Sequence, residues 1–151
     1  MTKILFVCHG NICRSPMAEF VMKDLVRKAG KAAEYEIASA AMRHDELGNP
    51  VYPPARRVLT QHHISCKGKV AQLMTPEDYH YYNYIIAMDN ENLRDLDRMT
   101  NGDPDGKVSL LMEYAGKPGA NVADPWYTGD FEETWYDVLS GCEGLLNDLE
   151  R

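Results

Sequence analysis

The sequence predicts an α/β domain, a parallel sheet with helices packed on both faces in three layers, and three observations carry that prediction. Lys3-Ile4-Leu5-Phe6-Val7 is a continuous apolar run without alternation, the pattern of a strand buried on both sides in a parallel sheet. Strand-like runs then alternate with helix-spaced runs along the chain, as β-α-β units require. The chain has 151 residues, 44% of them hydrophobic, enough for a single core over residues 1–151 that needs no disulfide or structural metal.

The elements follow in order. After the first strand, Ala18, Val21, Met22, Leu25, Val26 and Ala29 recur at helical spacing from Pro16 until Gly30 offers a stop, with Lys23, Arg27 and Lys28 on the opposite face. Tyr35 to Ala40 is a weaker strand candidate, and Tyr84 to Met88 and Val108 to Leu111 are stronger ones. Pro53 to His62 opens with prolines suited to a first helical turn, and Thr75-Pro76-Glu77-Asp78 reads as N-cap, first residue and acidic first turn. Asn90 to Met99 carries Leu93, Leu96 and Met99 along one edge. Asp130-Phe131-Glu132-Glu133 has the form of a capping box before the closing helix, whose apolar positions run through Trp135, Val138, Leu139, Cys142, Leu145, Leu146 and Leu149.

The charge balance bounds the partners. Asp and Glu number 23 against 16 Lys and Arg, a net charge of -7, which argues against nucleic acid, because that binding neutralises many phosphates with clustered cations. A single phosphate stays within reach. The apolar stretch Ile4 to Val7 is too short for a signal-peptide core or a membrane span, so a cytoplasmic, reducing location with no membrane partner is expected. Cysteines 8, 13, 66 and 142 form no Cys-x-x-Cys pair and have no histidine at zinc-finger spacing. Neither a metal nor a cofactor is expected.

Ligands of open parallel sheets gather at the carboxyl ends of the strands, which directs attention to Cys8-His9-Gly10-Asn11-Ile12-Cys13-Arg14-Ser15-Pro16. A loop of that length between strand and helix can turn successive backbone N–H groups of residues 9 to 15 inward onto one tetrahedral oxyanion, aided by the positive end of the helix. Gly10 and Asn11 are the residues that tolerate a left-handed backbone, which such curling requires. Arg14 supplies a planar fork for two phosphate oxygens. Cys8 at the strand end faces this ring of donors, a field that favours thiolate. Ser15 can donate its hydroxyl to the sulfur, or serve as an N-cap before Pro16. The loop lacks the Gly-Lys-Ser/Thr ending of a nucleotide-binding loop.

Transfer of a phosphoryl group to sulfur needs a proton for the leaving oxygen, and Val122-Ala123-Asp124-Pro125-Trp126-Tyr127 offers Asp124 as donor, with Trp126 and Tyr127 to shield it and stack on an aromatic ring. On residues alone, Asp124 reads equally well as a turn residue before proline, and the aromatics as core. Asp89, at a strand end, can accept from Arg14 or cap the next helix. None of the five histidines is assigned a catalytic role; the His9 side chain is expected to point outward, and Cys66 and Cys142 are expected to be inert.

The run Val7-Cys8-x-Gly10-Asn11-Ile12-Cys13-Arg14-Ser15-Pro16 resembles the signature of the low molecular weight protein tyrosine phosphatases, and the likeness spans nearly the whole chain, including Gly48-Asn49-Pro50, Met88-Asp89, Asn92-Leu93 and Asp124-Pro125. The resemblance implies a four-stranded parallel sheet in the order 2-1-3-4, Cys8 as nucleophile, Arg14 as phosphate clamp and Asp124 as general acid. It implies hydrolysis of phosphotyrosine and aryl phosphates through a cysteinyl-phosphate, tyrosine-phosphorylated proteins or peptides as partners, and inorganic phosphate as product. It also implies that Ser39 buttresses Asn11, and that Cys13 can form a reversible disulfide with Cys8 that shelters the nucleophile from overoxidation.

This sequence departs from the family pattern in the loop Ala41-Met42-Arg43-His44-Asp45-Glu46-Leu47, which has no aromatic residue where the family commonly has one. Asp45 is expected there in a polar pocket wall, with Trp126 and Tyr127 as the other wall residues. Arsenate reductases on this scaffold need further cysteines that Tyr84 to Arg94 lacks. Two alternatives remain: a protein-arginine phosphatase, although such relatives carry threonine where this chain has Ile12, and a phosphopeptide-binding module without turnover.

Overall fold

A computed structural model describes residues 1–151. Its strands β1 (Thr2–Cys8), β2 (Tyr35–Ala41), β3 (Tyr84–Ala87) and β4 (Val108–Leu110) form one sheet in the order β2-β1-β3-β4. All pairings are parallel. The helices are α1 (Arg14–Lys28), α2 (Pro53–Gln61), α3 (Pro76–Tyr81), α4 (Asn90–Thr100), α5 (Pro125–Thr128) and α6 (Phe131–Leu149). Both the fold class and the strand order match expectation.

Strand β1 is central, paired to β2 from Thr2↔Tyr35 to Cys8↔Ala41 and to β3 from Ile4↔Tyr84 to Val7↔Ala87. Its continuous apolar run follows from that position. Ile4, Phe6 and Cys8 enter one core with Met17 and Met22 of α1, Leu59 of α2 and Val138 and Leu145 of α6. Leu5 and Val7 enter the other with Tyr79 of α3 and Leu96 of α4. The period-2 alternation of a strand sends successive side chains to opposite cores, so every one of them must be apolar. No helix is long and apolar enough to cross a membrane.

Three local expectations are corrected. Helix α1 begins at Arg14, its N-cap is Cys13 without a side-chain cap bond, and Ser15 lies inside the first turn because its hydroxyl is engaged by Cys8 and Asn11. Asp130 accepts from the Glu133 backbone N–H at 3.0 Å, but Glu133 returns no bond, so α6 has half of the expected capping box. Thr75/Asp78 and Asp89/Asn92, by contrast, form complete boxes at α3 and α4. Leu111 leaves the sheet to open a short 3-10 turn, Leu111–Glu113, and a second such turn, Ala32–Glu34, precedes β2.

Candidate active site

The loop from Cys8 into α1 curls at the carboxyl end of the central strand. Asn11 takes the left-handed conformation, at φ 59°. Gly10 does not, contrary to expectation; its closeness to the next loop is the tighter constraint, since a Cβ there would lie 3.2 Å from Glu46 Cγ and that side chain would have to give way. The loop is stitched to the residues after β2 by Met42 N–H to Cys8 O (2.9 Å) and Arg43 N–H to His9 O (3.0 Å).

A buried polar chain runs from the sulfur into the core, and its donor directions follow from acceptor counting. The Glu19 carboxylate only accepts, and takes the Ser39 hydroxyl at 2.6 Å. Ser39 Oγ therefore accepts from Asn11 Nδ2 at 3.0 Å, the contact expected of this pair, while Asn11 Nδ2 also donates to Ser15 Oγ at 2.7 Å. The Ser15 proton is left to point at Cys8 Sγ, 3.0 Å away. The Asn11 backbone N–H adds a second donor to the sulfur at 3.3 Å. Glu19 is 5% exposed and is balanced by Lys23 at 2.6 Å and Lys69 at 3.5 Å. Neither Glu19 nor Lys69 was read as a site residue; the available signal was that Glu19 stands one helical turn after Ser15.

Arg14 is buried beneath the loop. Its Nη1 meets Asp89 Oδ2 at 2.8 Å and the Val122 carbonyl at 3.4 Å, and its Nη2 lies 3.6 Å from Asp124 Oδ2. Burial opposes its charge, yet Cys8, Asp89 and Asp124 together more than offset that and hold the guanidinium firmly protonated. Asp89 performs both of its expected tasks, bonding Arg14 and capping α4 through Asn92 N–H at 2.8 Å.

Asp124 caps α5, accepting from Trp126 N–H at 3.0 Å. The loop that carries it is tied on both sides. Val122 N–H donates to Met88 O at 2.8 Å, Ala123 N–H to Asp137 at 2.9 Å, and the Thr134 hydroxyl to Ala123 O at 2.9 Å. Trp126 packs on Tyr52 with ring centroids 4.5 Å apart, and the Tyr52 N–H holds the Ile12 carbonyl at 2.8 Å. Tyr52 is a bracing residue that sequence reasoning missed. Tyr127 projects outward, 90% exposed.

These groups line one cleft of about 450 Å³ that brings Cys8, Cys13, Arg14, Asp45, Asp89, Asp124, Trp126 and Tyr127 together. The His9 ring does not simply point outward, as expected. Its Nε2 lies 2.7 Å from Asp45 and its Nδ1 3.0 Å from Glu91. Burial pushes the Cys13 thiol up to about 12, so it stays protonated beside Cys8. A larger cleft of about 550 Å³ lies beside α2, lined by Arg56, Cys66, Lys67 and Lys69. There burial raises the Cys66 thiol and no carboxyl lines the walls to serve a leaving group.

The fold and this loop define a class: a small α/β protein with a Cys-x5-Arg loop at the carboxyl end of its central strand and a carboxyl facing that loop from a separate one. The chain belongs to the family described as low molecular weight phosphotyrosine protein phosphatase, whose model matches residues 3–151. It is 38% identical over 152 residues to the low molecular weight protein-tyrosine-phosphatase YfkJ of Bacillus subtilis, covering 100% of this chain and 97% of that one. The YfkJ crystal structure superimposes with a TM-score of 0.95 over 99% of this chain and 95% of that one. A low molecular weight protein tyrosine phosphatase from Streptococcus pyogenes gives 0.88 at 41% identity, covering 99% and 93%. A Drosophila arginine phosphatase gives 0.89 at 30% identity, covering 99% of each chain.

Proposed function

We propose that this protein hydrolyses phosphotyrosine in proteins or peptides, and other aryl phosphates, by two in-line displacements at phosphorus. The Cys8 thiolate attacks phosphorus while the P–O bond to the phenol breaks and Asp124 gives its proton to the leaving oxygen. Arg14 and the N–H groups of residues 9 to 15 hold the three non-bridging oxygens of the transferring group. Water then attacks the cysteinyl-phosphate, Asp124 takes its proton, the S–P bond breaks, and inorganic phosphate leaves. Ser15 stabilises the departing sulfur. The observation that carries the reading is the convergence of Cys8, Arg14 and Asp124 on one cleft, with Arg14 within 3.6 Å of Asp124. Cys13 lines the same cleft as Cys8; its thiolate is the form that attacks a Cys8 sulfenic acid, closing a reversible disulfide with loss of hydroxide, and its raised titration slows that step at neutral pH. Four unpaired thiols suit a reducing, cytoplasmic setting.

The Drosophila arginine phosphatase on the same scaffold keeps a second substrate in view. The apolar Ile12 and the Trp126 wall favour a phenyl ring over a guanidinium. Turnover of p-nitrophenyl phosphate and of phosphotyrosine, phosphoserine and phosphoarginine peptides tests the assignment. Phosphotyrosine is expected to lead, with Cys8→Ser abolishing turnover while phosphate still binds. Tight binding without turnover in the wild type would make the protein a phosphopeptide-binding module instead.

A further inference from the structure

The mouth of the cleft carries a cation of its own. His9, the loop residue next to the nucleophile, reaches across to Asp45 in the loop after β2 with one ring nitrogen and to Glu91 in the first turn of α4 with the other. A neutral imidazole has a single N–H, so it can donate to only one carboxylate and would aim a lone pair at the second. Both short contacts are satisfied together only by the imidazolium. The side chains of His9, Asp45 and Glu91 are 42%, 57% and 48% exposed, so a substrate segment entering the cleft meets them. Glu46 lines the same cleft, and no other exposed cation does: Arg14 is buried under Asp89 and Asp124, and Arg43 is spent on Asp95 at 3.0 Å.

We infer that His9, with Asp45 and Glu91, sets the charge preference of this enzyme for the residues flanking phosphotyrosine, so that substrates with a lysine or arginine beside the phosphorylated residue are preferred to those with acidic neighbours. The inference rests on the phosphotyrosine reading. A lysine or arginine side chain at the mouth takes up the carboxylate surface that His9 shares, while an acidic neighbour meets Asp45, Glu46 and Glu91 with no free cation to answer it. His9 sets the strength of the preference. As long as it is protonated it neutralises part of the rim, and without its charge the rim is more negative and discriminates more sharply.

The two carboxylates that hold His9, Asp45 first and then Glu91, raise its titration above the ordinary 6.5. The other charged or titratable groups around it are Glu46 in the same cleft, His44 and Arg43 from the loop after β2, which act on Asp45, and, deeper in the cleft, Asp89, Asp124 and Arg14. His44 is the other imidazole among them, and His44→Gln removes it from the comparison. A ratio of kcat/KM for two peptides that differ only in their flanks also cancels the ionisation of the catalytic groups, which both peptides meet, and the second ionisation of each peptide's phosphate, at about 6, is titrated separately and divided out.

The experiment uses phosphotyrosine peptides that carry either two lysines or two glutamates beside the phosphotyrosine, at low salt, from pH 6 to 9. In the wild type the lysine peptide is expected to lead in kcat/KM by about threefold or more, a difference suited to a few charges acting through partly solvated space. His9→Gln is expected to widen the ratio, and the wild-type ratio to climb towards that value as pH rises. Asp45→Asn with Glu91→Gln should bring it close to one. If His9 merely braced the mouth mechanically, His9→Gln would change KM for both peptides alike and leave the ratio fixed, which would overturn the inference. Equal kcat/KM for the two peptides in the wild type would overturn it as well, with the phosphotyrosine reading intact. No turnover of either peptide would remove that reading and this inference with it.

Discussion

The Ser15 hydroxyl lies 3.0 Å from Cys8 Sγ and receives Asn11 Nδ2 at 2.7 Å, so its own proton is directed at the sulfur. A hydrogen bond to an anion is worth more than one to a neutral group, and in this reaction the sulfur becomes an anion again when cysteinyl-phosphate breaks down. Ser15→Ala is therefore expected to lower kcat for p-nitrophenyl phosphate by about ten- to a hundredfold, the rate equivalent of one charge-assisted bond. Stopped-flow measurements should show a burst of p-nitrophenol as the second step becomes limiting. A steady-state kcat within twofold of wild type would remove Ser15 from the mechanism.

Gly144 lies inside α6, where glycine ordinarily costs about 1 kcal/mol against alanine. Here the ordering is reversed. A Cβ at this position would sit 1.7 Å from the Tyr114 carbonyl oxygen, which belongs to the backbone and cannot rotate aside. Gly144→Ala should thus destabilise the protein by about 3 kcal/mol or more through overpacking, read as a fall in urea midpoint. An unchanged or raised midpoint would show that α6 and the turn after β4 separate without cost.

Asp95 on α4 receives both Arg43 Nε and Arg43 Nη2 at 3.0 Å and Arg98 at 2.6 Å. The Arg43 bonds, together with both positive charges, outweigh burial and hold the Asp95 carboxyl below the ordinary 3.8. A depressed carboxyl stabilises the fold fully above its unfolded value and loses that contribution as pH falls through the folded value. Asp95→Asn should accordingly lower Tm at pH 7, and the two melting curves should draw together below about pH 4, the range in which the unfolded carboxyl takes its proton. Because Arg43 directly precedes His44 and Asp45, the variant also tests whether this clamp steadies the rim of the cleft. A Tm difference that persists unchanged at pH 3 would assign the effect to packing rather than charge.

The parts of the molecule that were legible in the sequence are those whose physics is local. A strand buried on both faces must be apolar throughout, so Ile4 to Val7 declared its place; Cys8 to Ser15 is a contiguous run that reads as one loop between strand and helix; Asp124, which the residues alone read equally well as a turn, lines the same cleft as that loop. What stayed hidden depends on partners brought together by folding. His9 meets Asp45 and Glu91 from 36 and 82 positions away, and Lys69 reaches Glu19 across the end of the sheet. Gly10 was assigned to the right loop for the wrong reason, because its constraint is the Glu46 side chain and not its own backbone angle. The requirement for Gly144 comes from the Tyr114 carbonyl, which only folding brings against α6.

Asp124 offers the sharpest separation between chemistry and architecture. Its Oδ1 caps α5 through Trp126 N–H while Oδ2 faces Arg14, so a change at this position touches both the proton supply and the local turn. Asp124→Asn keeps an oxygen that can accept the cap bond but loses the transferable proton and the negative charge that faces Arg14. If Asp124 is the general acid, this variant should lose about 10²–10⁴-fold in kcat/KM, which reports formation of the cysteinyl-phosphate and not its shared hydrolysis, on a phosphotyrosine peptide, whose leaving phenolate is basic. The loss on p-nitrophenyl phosphate should be clearly smaller, since p-nitrophenolate departs without protonation. Circular dichroism and Tm should stay near wild type because the cap survives. Equal losses on both substrates would instead point to misplacement of Arg14 or of the Trp126 wall, and Asp124 would then be a positioning residue rather than the source of the proton.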